Sequence, residues 1–516
     1  MTKIVFLSSS DIHGYIMPTD YQKKAEYHAA LGLSRVSSAI KAERAKFGAE
    51  NVVVTDAGDC LQGSPLASYV YSTEDLEVLD QYTDLYNLVG YDARCLGNHD
   101  FDYGLNFLKH YLNRNQAPFL NDNILDAQSK LPALGQSYQI LVKNGIRIGL
   151  LGVTTEKVPD WEPAANVAGL KFTSAYAQVK HYAKILRKQV DVLAVIYHGG
   201  FEADPLSGTK TEPANGENEG YRILTELPEV DVLLTGHQHR KLALVTKNTA
   251  IVQPGYRGEA VGEVILEIDD KSKEIRSKTA RLLDVHAYLP DQALLDHCSE
   301  LEQATQSWLD QPLAHLPEPA PLGDANHARL VGAPFINLLQ EMQLFFTQAD
   351  VSATAVMSDT APGFDREVTM RDILLNYPYA NQLCLVRLTG RQLREIIEYS
   401  LAFLEKNDQG EVTFAPQWRN LLFNFDVFYP VNYQADISRP PGHRLTQLDL
   451  EGKPLADEKN YHLAVNSYRA HGGGFYPGYS ADKIEKTVDK DYVQMFQEFL
   501  TQTKVEVDRR QNYRFN

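Results

Sequence analysis

At 516 residues the chain is too long for one hydrophobic core and must fold as two or three domains. Its composition, 44% hydrophobic and 23% charged, is that of an ordinary globular protein and excludes a disordered one. A formal net charge of -17 excludes broad electrostatic binding to nucleic-acid polymers or anionic membranes, which requires basic surfaces. An acidic protein still accepts an anionic substrate where metal cations supply the local charge. Near the start only Ile4-Val5-Phe6-Leu7 are apolar in succession, too short a run for a signal-peptide core, and no later stretch approaches a membrane span. Cys60, Cys95, Cys298 and Cys384 form no C-x-x-C pair, which fits buried thiols in a reducing compartment. The chain therefore reads as cytoplasmic unless an export signal precedes it, with no membrane contact and no protein partner implied.

Residues 3–7 read as a buried strand running into Ser10-Asp11-Ile12-His13-Gly14. A helix is expected over 33–46, where Leu33, Val36, Ile40 and Ala45 recur at roughly helical spacing. Val52-Val53-Val54 is the next strand and ends in Asp56-Ala57-Gly58-Asp59; Gly58 permits a tight turn that aims Asp59 back over the strand end. Residues 93–96 run into Gly97-Asn98-His99-Asp100-Phe101-Asp102, whereas the strand at 147–153 carries no ligand type at its end. The strand at 191–197 ends in His198-Gly199-Gly200, and 202–219 is a polar loop. Residues 229–235 lead into Gly236-His237-Gln238-His239, and 251–258 close the series. Asp11 and His13, like His237 and His239, stand two apart, which in an extended segment puts both side chains on one side. Strands alternating with helices predict an α/β layered domain whose ligands gather at strand ends. Five of the fifteen histidines lie in these turns, more than chance placement would give.

A helix is expected within 285–308, with Leu294, Leu295, Cys298 and Leu301 as its apolar side. Pro312, Pro317, Pro319 and Pro321 are then expected to interrupt regular structure and mark a domain boundary. The second half should hold a helix over 327–346, strands at 382–388 and 421–429 and a helix over 390–405. The expected domains are 1–285 and 325–516, joined by a connector over 286–324.

Asp11, His13, Asp59, Asn98, His198, His237 and His239 form a nitrogen and oxygen donor set without thiolate, suited to zinc, manganese, iron, cobalt or nickel. Seven donors exceed the needs of one tetrahedral ion. Two divalent ions sharing a carboxylate would use them all, and such a pair fits an in-line displacement at phosphorus. Asp56 and Asp92 read as turn or cap residues, and Cys60 and Cys95 as packing. Trp161 and Trp308 receive no assignment.

In order, Asp11-Ile12-His13, Gly58-Asp59, Gly97-Asn98-His99-Asp100, His198-Gly199 and Gly236-His237-Gln238-His239 resemble the signature of calcineurin-like metallophosphoesterases. The resemblance implies a four-layer αββα sandwich. It assigns Asp11, His13 and His239 to one ion, Asn98, His198 and His237 to the other, and Asp59 to both, with Asn98 also meeting substrate. Through Gly97-Asn98-His99-Asp100-Phe101-Asp102 the chain resembles the 5'-nucleotidase branch, where the histidine pairs with the carboxylate three residues on. That makes His99 and Asp102 the implied catalytic pair, with Asp100 the competing partner. An imidazole kept cationic by a carboxylate can hydrogen-bond the phosphate and stabilise charge in the transition state.

The same branch has a C-terminal α+β nucleotide-binding domain, and the resemblance covers 325–516. Leu422-Phe423-Asn424-Phe425-Asp426-Val427 and Asn466-Ser467-Tyr468-Arg469-Ala470 are similar to blocks of 2',3'-cyclic-nucleotide 2'-phosphodiesterases that are also 3'-nucleotidases. The implied base clamp is Phe423 with Tyr468, Phe425 being the alternative to Phe423. Gly472-Gly473-Gly474 stands where 5'-nucleotidases tend to have Gly-Gly-Asp, and 358–366 matches their arginine loop poorly, so Arg366 receives no role. The implied activity is dinuclear metal-dependent hydrolysis of nucleotide phosphoesters in the cyclic phosphodiesterase and 3'-nucleotidase subgroup. A 5'-nucleotidase or nucleotide-sugar hydrolase is the alternative, and a non-catalytic nucleotide- or metal-binding protein is the alternative of another class.

Overall fold

The computed structural model describes the chain apart from residues 213, 378, 380 and 503 and the side chains of 420 and 489. It divides into two units, Met1–Ser307 and Trp308–Asn516, the division falling inside the helix Gln292–Leu309.

Two sheets make the centre of the first unit. One has the order Ile275–Asp284, Ala260–Ile268, Thr2–Ser9, Val52–Asp56, Ala93–Arg94; the other runs Lys241–Thr246, Thr249–Pro254, Val232–Thr235, Val192–His198, Ile146–Thr154, Tyr138–Lys143. Side chains alternate across a strand, so a strand covered on both faces feeds two cores. Ile148, Leu150, Val192, Ala194 and Ile196 pack with Ile4, Phe6, Val53 and Val264 of the other sheet. Their neighbours Leu151, Val153, Leu193 and Val195 turn outward and pack with Val179 and Ala183 of the helix Ala175–Leu186 and Ile223 of Gly220–Glu226. The helix Leu33–Phe47 lies against the other sheet. This is the α/β, four-layer αββα arrangement. Each fully buried aliphatic side chain contributes roughly 1.5–3 kcal/mol relative to exposure, so the many such residues fix the sheets that position the turns.

Strand direction decides where the turns meet. Thr2–Ser9, Val52–Asp56 and Ala93–Arg94 run parallel, as do Ile146–Thr154, Val192–His198, Val232–Thr235 and Thr249–Pro254. The carboxyl ends within each set therefore lie on one edge of its sheet, where an α/β fold gathers its ligands.

The second unit is α+β. Its five-stranded sheet has the order Asp426–Tyr429, Val351–Ala355, Asn460–Asn466, Gln382–Thr389, Ile484–Asp491, with helices that include Pro334–Thr347, Gly390–Leu401 and Tyr492–Gln502.

Three expectations change. The prolines after 311 do not exclude regular structure: Pro312–His315 pairs with Glu367–Thr369, and Ala320–Pro321 with Gly363–Phe364. Pro312 and Pro321 each stand at one end of a two-stranded ladder, where a missing N–H is tolerated, while Pro317 and Pro319 lie between the two strands. The helix expected over 327–346 is two, Ala325–Val331 and Pro334–Thr347, because Gly332 takes φ 88° and Pro334 occupies the first turn of the second. The strand expected over 421–429 begins only at Asp426; Pro416–Asn424 forms 3-10 turns. Among the described residues no helix is long and apolar enough to cross a membrane.

Candidate metal centre and active site

The donor-bearing turns hold an unusual backbone. Asp11, His13, Asp59, His237 and His239 all adopt left-handed conformations, with φ of 53°, 51°, 59°, 70° and 55°. Such positions cost of order 1–3 kcal/mol each and persist only where surrounding structure holds them. The holding bonds are present: Asp11 N–H donates to Gly58 O at 2.9 Å and His13 N–H to Asp59 O at 2.8 Å. His237 N–H donates to both Asp11 carboxylate oxygens at 3.1 Å, and His99 N–H to Asp59 Oδ1 at 2.8 Å. A Cβ on Gly97 would stand 2.0 Å from Asp59 Oδ1, so only glycine lets the backbone approach this carboxylate.

These turns bring all seven predicted donors together, in two groups. In the first, His13 Nε2 lies 3.1 Å from His239 Nε2, and Asp11 Oδ1 lies 3.4 Å from His239 Nε2. In the second, Asn98 Oδ1 lies 3.1 Å from His198 Nε2 and 2.9 Å from His237 Nδ1. Asp59 Oδ2 reaches both, at 3.8 Å from His13 Nε2 and 3.2 Å from His198 Nε2. His237 and His239 thus point into different groups and through different nitrogens.

The far nitrogens test whether the set fits divalent cations. His13 Nδ1 meets Gln62 O at 2.8 Å, His198 Nδ1 meets Ala57 O at 2.6 Å, and His237 Nε2 meets Glu217 Oε1 at 3.2 Å. In the neutral ring, an acceptor there places the proton on the far side and leaves a lone pair facing the shared points. His198 Nε2 and His237 Nδ1 then converge on the acceptor oxygen of Asn98, at a point where Asp59 stabilises positive charge, whether a proton or a cation. Burial pushes His13 down to about 4, as for a neutral ligand, whereas Asp59 overcomes burial and lifts His198 to about 9. The field around Asp59 therefore favours positive charge. The donors fit divalent cations.

His99 lies beside the donors, its ring 5.5 Å from that of His13. Its Nδ1 meets Asp102 Oδ2 at 3.1 Å; burial opposes its charge, but Asp102 and Asp59 raise it to about 10. Asp100, the competing partner, instead accepts the backbone N–H groups of Cys60, Leu61 and Gly97 at 2.8, 3.0 and 2.8 Å and ties the two turns together.

Several neighbours carried no signal in the sequence. The Trp161 ring stacks on His237 at 5.5 Å and 24°, the Tyr256 ring on His239 at 4.9 Å and 6°, and Glu217 comes from the polar loop. Tyr256 alone had a hint, since it follows a strand at the same sheet edge. Asp56 is not a turn or cap residue. It is buried at a strand end and paired with Arg94 at 3.2 Å, the guanidinium being walled by Tyr86, Tyr91, Tyr111 and Phe119. Asp92 accepts from Val54 N–H at 2.8 Å and from Lys143 at 2.9 Å, and Cys60 donates to Asp56 at 3.0 Å without entering the donor groups.

In the second unit Phe425 is 1% exposed and packs with Phe403, Phe414 and Phe515, whereas Phe423 is 40% exposed. Tyr468 is half-buried. Arg469 joins the two aromatic blocks: its Nε and one terminal nitrogen donate to Asp426 at 2.9 and 3.0 Å, and the other to Asn424 Oδ1 at 3.1 Å and Gly473 O at 2.6 Å. Arg366 is exposed.

Residues 4–241 match the family model described as calcineurin-like phosphoesterase, and residues 313–481 that of the 5'-nucleotidase C-terminal domain. A Staphylococcus aureus protein provisionally assigned as a 5'-nucleotidase, solved in complex with α-ketoglutarate, is 32% identical with a TM-score of 0.90, each chain covering 100% of the other. The chain belongs to the 5'-nucleotidase family. Like other members of this family it is a metallophosphoesterase, a hydrolase of phosphoric ester bonds. The 5'-nucleotidase-family chain is 26% identical to the 2',3'-cyclic-nucleotide 2'-phosphodiesterase/3'-nucleotidase of Salmonella typhimurium, over 91% of this chain and 81% of that protein. To the protein of the same name from Haemophilus influenzae it is 24% identical, over 99% of this chain and 87% of that one.

Proposed function

We propose that the chain hydrolyses nucleotide phosphoesters at a dinuclear metal centre, opening 2',3'-cyclic nucleotides as a 2'-phosphodiesterase and removing the phosphate as a 3'-nucleotidase. The observation that carries this reading is the pair of donor groups joined by Asp59 with the His99–Asp102 pair beside them. Asp11, His13 and His239 would hold one ion, Asn98, His198 and His237 the other, and Asp59 both. When bound, two divalent cations supply the positive charge that a phosphoryl group needs and acidify a water.

The protein's own groups do the rest. Asp102 orients the His99 imidazole and holds it protonated, so that it can donate to a phosphoryl oxygen as charge develops there. Asn98 places its amide at the same point. Phe423 and Tyr468 take the base by stacking, which tolerates any base because each has a π-face. The proposal keeps the metallophosphoesterase domain at 1–285, the connector at 286–324 and the substrate-binding domain at 325–516.

The names of the relatives support the cyclic and 3' preference, and so does Gly474. Its φ is 73° and a Cβ there would stand 2.0 Å from an Arg469 guanidinium nitrogen. An aspartate, which 5'-nucleotidases tend to carry at this point, is therefore incompatible with the Arg469 bridge. Turnover of 2',3'-cyclic AMP, 3'-AMP and 5'-AMP with Mn, Co or Zn supplied tests the reading. The first two should be hydrolysed well ahead of the third. Preference for 5'-AMP would favour the 5'-nucleotidase alternative, and no turnover of any ester would leave a non-catalytic binding protein.

A further inference from the structure

The two donor groups differ in charge. The group of Asp11, His13 and His239 contains a carboxylate, whereas Asn98 brings a neutral amide to His198 and His237, and the carboxylates near His198, those of Asp59 and Asp11, are shared with the first group. A neutral set holds a divalent ion less tightly unless a nearby acceptor raises the basicity of one of its ligands. Glu217 is so placed, with Oε1 3.2 Å from His237 Nε2, the nitrogen turned away from Asn98. Among the described residues His239 has no matching carboxylate at Nδ1; its ring lies against Tyr256.

The loop that brings Glu217 is fastened to the histidine turn it serves. Glu212 accepts from Asn218 Nδ2 and Gln238 Nε2, both at 2.6 Å, and from Arg240 at 3.0 Å. Asn218 Oδ1 accepts from Gly200 N–H at 2.6 Å, next to the turn after His198. Gln238 stands between the two histidines, so the loop and the His237–His239 segment are one hydrogen-bonded body. Trp161 covers the face of the same imidazole. His237 is thus held on its ring face and at both nitrogens.

We infer that Glu217 is a positioning residue for the metal site of Asn98, His198 and His237, fixing the His237 tautomer and supplying the negative charge that Asn98 does not. The inference rests on the two-metal reading above. It assigns the loop between Val192–His198 and Gly220–Glu226 a role in making the two sites comparable in affinity.

The test is a Mn titration of the metal-stripped full chain and of Glu217→Gln and Glu217→Ala, read by calorimetry, with thermal melting of the stripped proteins alongside. The parent should bind two ions. In both variants one site should weaken by about 10- to 100-fold, the other should keep the parent's affinity, and the stripped proteins should melt where the parent does. Two sites of unchanged affinity, or both weakened alike, would overturn the assignment while leaving the two-metal reading in place. A stripped Glu217→Gln protein that no longer melts like the parent would mark Glu217 as a structural residue and also overturn it. A parent that binds no Mn would defeat the two-metal reading itself.

Discussion

His13 and His239 meet Nε2 to Nε2 at 3.1 Å with their rings at 81°. The His13 proton is committed to the Gln62 carbonyl on the opposite side of the ring, so the nitrogen that faces His239 is a lone pair. Residues 226 positions apart in sequence are therefore held with their ring nitrogens facing each other, a place that a His239 proton fills and that a cation would take on the two-metal reading.

Removing that occupant should be visible without any substrate. Five of the donors sit on left-handed backbone that neighbouring hydrogen bonds hold, and an ion that binds only the folded chain would add to its stability. Exhaustive chelation should lower the melting temperature, and Mn at a hundredfold excess over its dissociation constant should restore about 3 kcal/mol per site. Thermal melts across a metal series check this; a melting temperature indifferent to chelation would contradict the fit of the donors.

The His99–Asp102 pair should matter for rate and not for metal. Replacing His99 by Ala removes a charged donor to the phosphoryl group and should cost about 10²–10³ in kcat, with KM little changed and two ions still bound. Asp102→Asn should lower kcat in the same direction. Asp100→Asn should act differently, because Asp100 accepts backbone N–H groups of two turns. It should lower stability by about 1–3 kcal/mol, which denaturant melts would separate from the kinetic effect.

The two phenylalanines of one block should part company. Phe423→Ala should raise KM for nucleotides by an amount worth about 1–3 kcal/mol of lost stacking and leave stability unchanged, since the ring is 40% exposed. Phe425→Ala should instead destabilise the second unit by about 3–5 kcal/mol, because its ring packs among Phe403, Phe414 and Phe515. Michaelis constants beside melting curves distinguish the two outcomes.

What the sequence made legible follows from this division. Buried parallel strands are continuous apolar runs, so Ile4 to Leu7, Val52 to Val54 and the run before His198 announce themselves, and the polar residues that end them stand out. Asp59 and His198, though 139 positions apart (198 minus 59), were readable because each marks a strand end. Glu217, Trp161 and the Asp56–Arg94 pair were not, because their meaning lies in partners that only the tertiary fold supplies. Phe423 and Phe425 alternate as in a strand, yet the chain turns through 3-10 geometry until Asp426. The break at Gly332 and Pro334 is present in the sequence as a glycine and a proline two apart, masked by the apolar period on either side.

Stability should also depend on pH away from the site. Burial, opposed by a hydrogen bond from Tyr429 at 3.2 Å and reinforced by Asp508, raises Glu341 to about 7. A carboxyl group raised in the folded state releases its proton first in the unfolded chain. Folding stability therefore falls as pH climbs from its ordinary value of about 4.3 to about 7, and the loss is complete above that. Glu341→Gln keeps the acceptor for Tyr429 and removes the charge. Its melting temperature should exceed the parent's by more at pH 8 than at pH 5; an advantage that shrinks as pH rises would contradict the assignment.

The most direct test of the central claim is activity against metal equivalents. Mn titrated into the stripped chain, with hydrolysis of 2',3'-cyclic AMP followed to 3'-AMP and adenosine, should give no turnover at the start and full turnover at two equivalents per chain. Undiminished turnover in the stripped protein, or saturation at one equivalent, would contradict a dinuclear nucleotide phosphoesterase.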